Sequence, residues 1–592
     1  MSALTRRTML ALSGAAATLW ATPLRATTLT TDVAEADTRT HALLVFDKPK
    51  YPVGFTHFDY VNPDAPKGGE IRLTASTWAF NQNPITFNTF NTYILRGDAP
   101  PLMEMCHGTL MTRALDEPDA VYPLIAEWVE VEGRRYAFTI NPKARFSDGS
   151  PLTAEDVAFS AELLLEKSHP ILRNILAGIE SVEAADKETA VITFKDGTSN
   201  RLPPLVTALM PILSKAYYTA NDFTQATLDI PVGSGPYTVG DHAPGRYVSY
   251  RRLPDYWAAD LPTQRGHNNF DRLRMEFYRE HTISFEAFKK GDVTFREEFT
   301  SKTWATEYDF PAVQDGRIKK HVFPDERPAG AQGWFMNTRR EKFADPRVRE
   351  ALNYAFDFEW TNANVFYGAY TRTPSFFVNS DMMATGEPSS EELALLEPFR
   401  DKVPASVFGP AWTPPVTDGT GRDRTPLREA NRLFADAGWS RQGGKLVNAN
   451  GQPFTIEFLY RQPRSERVLQ PFASRLRLLG IEPQLRMVDA AQFESRLKSF
   501  DYDVVTRRFS LSLTPGEVIR EFWTSARADV EGSRNLSGIK DPVVDALTDT
   551  LIQAKTREEM VTAARALDRV LRSGFYWVPQ WYKGSHTTAF WD

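Results

Sequence analysis

QPFTIEFLYR (452–461), SERVLQPFASRLRLLG (465–480), IEPQLRMV (481–488) and YDVVTRR (502–508) follow one another with little sequence between them. The first, third and fourth are short runs of β-branched, aromatic and aliphatic residues and read as strands. The second repeats its apolar residues at helical spacing. Strand, helix and strand alternate here, which predicts an α/β lobe built on a parallel sheet.

Working outward, TPLREANRLFADAG (425–438) is a helix opened by Pro426 and stopped by Gly438. FADPRVREALNYAFDFEW (343–360) predicts another, with Asp345 as cap, Pro346 in the first turn, and Val348, Leu352 and Ala355 as its buried stripe. Residues 380–425 are rich in Pro, Gly, Ser and Glu and read as an irregular insertion. Further back, PVGSGPYTV (231–239) is a glycine turn into a strand, and GRYVSYRRLPDYW (245–257) continues as strand and turn. YAFTINPKARFSDGSPLTAEDVAFSAELLLEK (136–167) predicts strand, Asp-Gly turn and a helix capped by Thr153 with Asp156. GGEIRLTAS (68–76) is a first strand, followed by a loop from Trp78 to Pro101.

The chain of 592 residues exceeds what one hydrophobic core supports, so two or more lobes are expected. A net charge of −6 carries no footprint for nucleic acid. The single cysteine, Cys106, excludes an internal disulfide and a multi-cysteine zinc site, and reads as a small buried residue. Residues 1–26, MSALTRRTMLALSGAAATLWATPLRA, combine a basic start, an apolar stretch shorter than a membrane span and small residues before Ala26. They read as a cleaved export signal, and Arg6-Arg7 is similar to a twin-arginine signal. The expected location is the periplasm.

No enzyme signature stands out. Ser234 lies between glycines without the spacing of a nucleophile elbow, and no HExxH pair offers a metal two ligands. Neither a catalytic residue, a cofactor nor a metal is therefore expected.

PLIAEWVEV (123–131), FSDGSPLTAEDVAFS (146–160), VGSGPYTV (232–239) with LPDYW (253–257), FMNTRREKFADPRVREALNYAFD (335–357) and LFADAGW (433–439) occur in an order that carries a family resemblance. Together they make the chain similar to the family 5 extracytoplasmic solute-binding proteins, the oligopeptide and dipeptide receptors of ABC importers. VFDKPKYPVGFTHFDYVNPDAPKGG (45–69) and FREEFTSKTWATEYDFPAV (295–313) resemble the Yej-type subgroup. The resemblance implies a class II periplasmic binding protein fold: two lobes joined by a hinge, with an extra subdomain (cluster C). Lobe I would comprise 40–77, 225–325 and 565–592, the extra subdomain 78–224, and lobe II 326–564. It also implies a monomer, permease and ATPase partners, and capture of oligopeptides or murein peptides; an opine or oligosaccharide ligand stays open.

The strand ending in Arg507 and Arg508 raises the sharpest question, because no acid occurs among the next eight residues. In peptide-binding relatives a motif Trp-x-x-Asp-Tyr-x-x-Pro follows the matching strand, and its aspartate receives the ligand amine. Here Phe509 falls at the aromatic position, Ser510 follows, Ser512 takes the place of the aspartate, and Pro515 lies near the proline. The amine-binding carboxylate is missing. A ligand with a free amine would need another acid, for which Asp98, Glu297 and Glu298 are candidates. A murein peptide attached through its lactyl group lacks that amine and carries carboxylates, which suit arginine forks. One of Arg507 and Arg508 is expected to face the cleft, since neighbours on a strand point to opposite sides. The competing reading pairs one of them with Asp501, Asp503 or Glu517. Further candidates are Trp78, Asn81, Asn83, Arg96 and Asp98 in the long loop, Glu298, Lys302 and Trp304 after GDVTFRE, and Trp334 before FMNT.

Overall fold

The computed structural model describes residues 39–592 except 47, 77, 78 and 510. The expected export signal, Trp78 and Ser510 therefore lie outside the described residues.

Lobe II is built on a five-stranded sheet in the order Glu482–Met487, Thr455–Tyr460, Val504–Phe509, Ala331–Met336, Trp577–Pro579. The first three strands are parallel, as the strand–helix–strand pattern predicts. The sheet as a whole is mixed, because Ala331–Met336 runs antiparallel to both of its neighbours. This is the strand that arrives from lobe I, so it enters from the opposite end. Strand pleating sends Trp334, Phe458 and Val504 into one core and Phe335, Leu459 and Val505 into another, one on each face of the sheet. The helix Glu466–Leu478 covers the first face with Val468, Phe472 and Leu476. The helix Ala490–Lys498, capped by Asp489 and not foreseen in the sequence, lays Phe493 on the second.

Lobe I contains a four-stranded sheet, Glu70–Thr74, Arg272–Glu276, Tyr247–Arg252, Tyr237–Ala243, and a three-stranded one, Phe295–Glu297, Ser585–Trp591, Ile318–Pro324. The extra subdomain is a five-stranded antiparallel sheet: Arg39–Thr40, Ala126–Glu132, Arg135–Ile140, Thr189–Phe194, Ile179–Ala184. Its helix Ala154–Lys167 starts with the expected capping box, and Val157, Ala161 and Leu164 are buried beneath it.

Two segments depart from the expected boundaries. The helix Arg557–Ser573 spans the expected break at 564/565, yet Met560, Leu567 and Leu571 belong to the lobe II core throughout. The chain returns to lobe I only at Ser585–Trp591. Near the start, Ala42, Tyr51 and Phe58 pack with Ala114, Ala120 and Tyr122, so this stretch joins the extra subdomain instead of lobe I. Apolar burial overrides chain order in both places. The insertion 380–425 also holds a helix, Ser390–Leu396, tied to lobe II by a buried ion pair of Glu392 with Arg569 at 2.6 Å. The two crossings between lobes lie side by side, Asp325 N donating to Gly584 O over 2.9 Å.

Candidate functional site

Parallel strands expose their carboxyl ends at one edge of a sheet, and in open α/β sheets ligands bind in the crevice outside those ends. In lobe II that edge carries Tyr460-Arg461-Gln462 at the end of one strand and Thr506-Arg507-Arg508 at the end of the next. A cavity of about 700 Å³ opens there. Its far wall is Phe299-Thr300-Ser301, contributed by lobe I, so the cavity lies between the lobes. Phe299 is more than half exposed, an apolar ring presented to the cleft.

Arg461, Arg467, Arg507 and Arg508 all line this cavity, and among the described residues no Asp or Glu does. The two adjacent arginines differ in their surroundings because the pleat separates them. Arg508 is on the face of Trp334, opposite Gln332 in register. Its Nε donates to Ala329 O over 2.9 Å, and among the described residues it forms no ion pair. Arg507 is on the other face, where its Nη2 donates to both oxygens of Glu494 at 2.9 and 3.0 Å and its guanidinium lies over Phe493. Arg461 also approaches Glu494, at 3.6 Å. The expected partners of the pair are committed elsewhere: Asp501 to Arg340 and Arg496, Asp503 to Lys342, Glu517 to Arg520. Arg467 donates to Val365 O over 3.2 Å.

Aromatic and amide groups complete the wall. Gln332 Nε2 donates to Gln580 Oε1 over 3.1 Å, while Phe366, Tyr370 and Trp581 close one side. Trp334 lines the cavity as its floor, with only 2% of its surface exposed, stacked on Phe472 with ring centroids 4.7 Å apart.

The remaining candidates lie off this cavity. Phe509 is core, between Phe335 and Phe522, since it alternates with Arg508 onto the buried face. Ser512 is exposed and does not line the cavity. Asn81 and Asn83 serve their own loop: Asn81 Nδ2 donates to Asn91 O and Arg96 O, and Asn83 Nδ2 to Asp98 Oδ1 at 3.1 Å. Arg96 is exposed, and Asp98 is committed to Asn83. Lys302 is exposed outside the cavity, and Trp304 packs against Tyr308 beneath the Lys320 ammonium.

Glu298 is fully buried and pairs through Oε2 with Arg296 at 3.0 Å and through Oε1 with His281 at 3.2 Å, with Thr300 N also donating to Oε1. Lys302 is thus not its partner. Burial by itself would raise this carboxyl, but the His281 hydrogen bond and the Arg296 charge hold it below its ordinary value. Glu297 lines a second cavity of about 400 Å³ in lobe I, together with Glu276 and Glu280, and hydrogen-bonds His586 at 2.5 Å. Phe299 lines both cavities.

Among the described residues no group of three or more His, Cys, Asp or Glu side chains could hold a metal ion, and no helix is long and apolar enough to cross a membrane. Two lobes joined by paired crossings, with a cleft between them, are the architecture of a solute-binding protein. Residues 120–529 match the family of bacterial extracellular solute-binding proteins, family 5, and the chain belongs to it. It is 39% identical, over 92% of its length and 89% of the relative's, to a protein of Agrobacterium fabrum described as a probable peptide-binding protein, YejA. A second protein of that organism, the peptidoglycan-binding protein YepA, is 37% identical over 93% of this chain and 91% of its own. The oligopeptide-binding protein AppA of Bacillus subtilis, solved with a nonapeptide, shares the fold with a TM-score of 0.59 at 17% identity, over 89% of this chain and 95% of AppA.

Proposed function

We propose that this chain is the periplasmic receptor of an ABC importer, and that it captures peptides rich in free carboxylates, murein peptides foremost, through Arg508. The observation that carries the reading is a ligand-sized cleft lined by four guanidinium groups and, among the described residues, no carboxylate. Glu494 already meets Arg507 and Arg461, so the positive charge that an entering anion finds uncompensated rests on Arg508 and Arg467. Of the two arginines raised by the sequence, Arg507 has its charge met by Glu494 through Nη2, whereas Arg508 forms no ion pair among the described residues and donates only through Nε, which leaves its charge for a ligand. The aromatic side formed by Phe299, Tyr370 and Trp581 gives apolar area for a side chain or a sugar face. The relatives named for peptide and peptidoglycan binding support the same ligand class.

Capture would proceed by closure of the lobes, with Phe299-Thr300-Ser301 brought over a ligand held at the strand ends of lobe II. The permease would then read the closed form, and the ATPase subunits would drive release into the membrane channel. The receptor acts as a monomer without catalysing a reaction.

Calorimetric titration with a murein tripeptide carrying free carboxylates tests this reading. A charge-assisted bidentate contact contributes about 1.5–3 kcal/mol, so Arg508→Ala should weaken binding by roughly 10- to 100-fold. Arg507→Ala should cost less, because the Arg507 charge is already met by Glu494. Equal affinity of wild type and Arg508→Ala would overturn the proposal.

A further inference from the structure

Arg201 belongs to the extra subdomain, immediately before its helix Leu202–Leu209, yet its side chain reaches lobe II. Nη1 donates to Ile552 O over 3.2 Å. That carbonyl lies in the last turn of the helix Pro542–Gln553, where carbonyls lack intrahelical partners and carry the negative end of the helix dipole. A guanidinium is well suited to that position.

Two further contacts fix the side chain. Its stem lies on the backbone of Gly516: a Cβ added there would come within 2.9 Å of Arg201 Cδ. The φ of Gly516 is −111°, so glycine is needed at this position for space and not for backbone freedom. The guanidinium also lies 5.4 Å from the ring centroid of Phe46, which packs against the lobe II core. The neighbouring Asn200 donates to Val45 O over 3.0 Å, so the same short segment grips the stretch of chain that carries Phe46. Arg201 Nε and Nη2 are buried without a protein partner, and the carboxylates of Asp119 in the extra subdomain and Glu517 in lobe II both act on this charge.

The hinge segments take no part in this contact, and Gly516 ends the loop that begins directly after Arg508 and Phe509. The geometry points to Arg201 as a positioning residue, a latch that holds the extra subdomain against lobe II and fixes Gly516, a few residues beyond the cleft arginine Arg508. The role is independent of which ligand the cleft takes. Its physical basis is a cation that fills a glycine-sized notch beside a helix C-terminus, with two spare donors that draw Asp119 and Glu517 toward the seam.

The distance between nitroxide labels at 171 in the extra subdomain and 530 in lobe II, both exposed positions, reads the latch in the full chain without ligand. Arg201→Ala should move the distance distribution outward, and Arg201→Lys should restore part of the short-distance population by keeping a donor for Ile552 O. Gly516→Ala removes no charge and leaves the hinge untouched, yet should shift the distribution in the same direction by displacing the arginine stem. Wild-type distributions in both Arg201→Ala and Gly516→Ala would overturn the inference.

Discussion

Arg507 and Arg508 are chemically identical neighbours, and the pleat gives them different tasks. That division was visible in the sequence, since alternate residues of a strand face opposite sides. Which arginine stays free was not, because it depends on Glu494, thirteen residues earlier on a helix whose short apolar pattern did not stand out. The arginines Arg461 and Arg467 were equally accessible to sequence reasoning: Arg461 follows directly on a strand recognised as parallel and Arg467 lies in the first turn of the helix after it, where ligand crevices form. Glu298 shows the opposite failure. A buried acid beside a cleft looks like a binding group, but it is satisfied by Arg296, His281 and Thr300 N. Its folded carboxyl titrates below the ordinary 4.5, so as pH falls the unfolded chain binds the proton first. The stability it contributes is complete above about pH 4.5 and is lost as pH falls through the folded value. Glu298→Gln should therefore melt lower at neutral pH, yet lose less melting temperature than wild type between about pH 5 and pH 3. An unchanged slope would show that the carboxylate is not held in its charged form.

At the scale of elements, local signals were reliable where the cap lies in the sequence itself. Asp156 accepts from Thr153 N at 2.9 Å and from Lys215 N at 2.9 Å, so it caps the start of the helix Ala154–Lys167 and also anchors the start of the helix Lys215–Ala220. Asp156→Ala should cost about 1–2 kcal/mol in denaturant unfolding, through two lost backbone partners. The same region buries His107 against Tyr93, and burial pushes its imidazole down to about 4. A histidine buried neutral stabilises the fold fully above its ordinary 6.5, and that contribution fades as pH falls toward 4. His107→Gln should therefore reduce the pH dependence of stability across that interval, measured by urea unfolding at fixed pH steps. Elements set by long-range pairing were harder to read. The reversal of Ala331–Met336 within the sheet follows from the chain crossing between lobes, which no local pattern encodes.

For the whole molecule, two lobes and an extra subdomain follow from length and from the order of the family-like motifs, while their seams do not. The helix Arg557–Ser573 stays with lobe II because its apolar face fits that core, and the stretch around Tyr51 stays with the extra subdomain for the same reason. The loop from Asn81 to Asp98 is bonded largely to itself, so the side chains once suspected of meeting ligand hold the loop's shape. Burial likewise accounts for Cys106, whose thiol is pushed up to about 12 and should not react with alkylating reagents until the chain unfolds. On the proposed reading the cleft's charge selects the ligand, and it belongs to the folded lobe II: four strand-end and helix-end arginines meet there with no Asp or Glu among the described lining residues. A crystal structure of the receptor with ligand retained from its native periplasm tests this most directly. The account predicts a ligand carboxylate within hydrogen-bond distance of Arg508. A protein carboxylate holding the ligand's amino end, with the Arg507 and Arg508 guanidinium groups both turned to solvent, would contradict it.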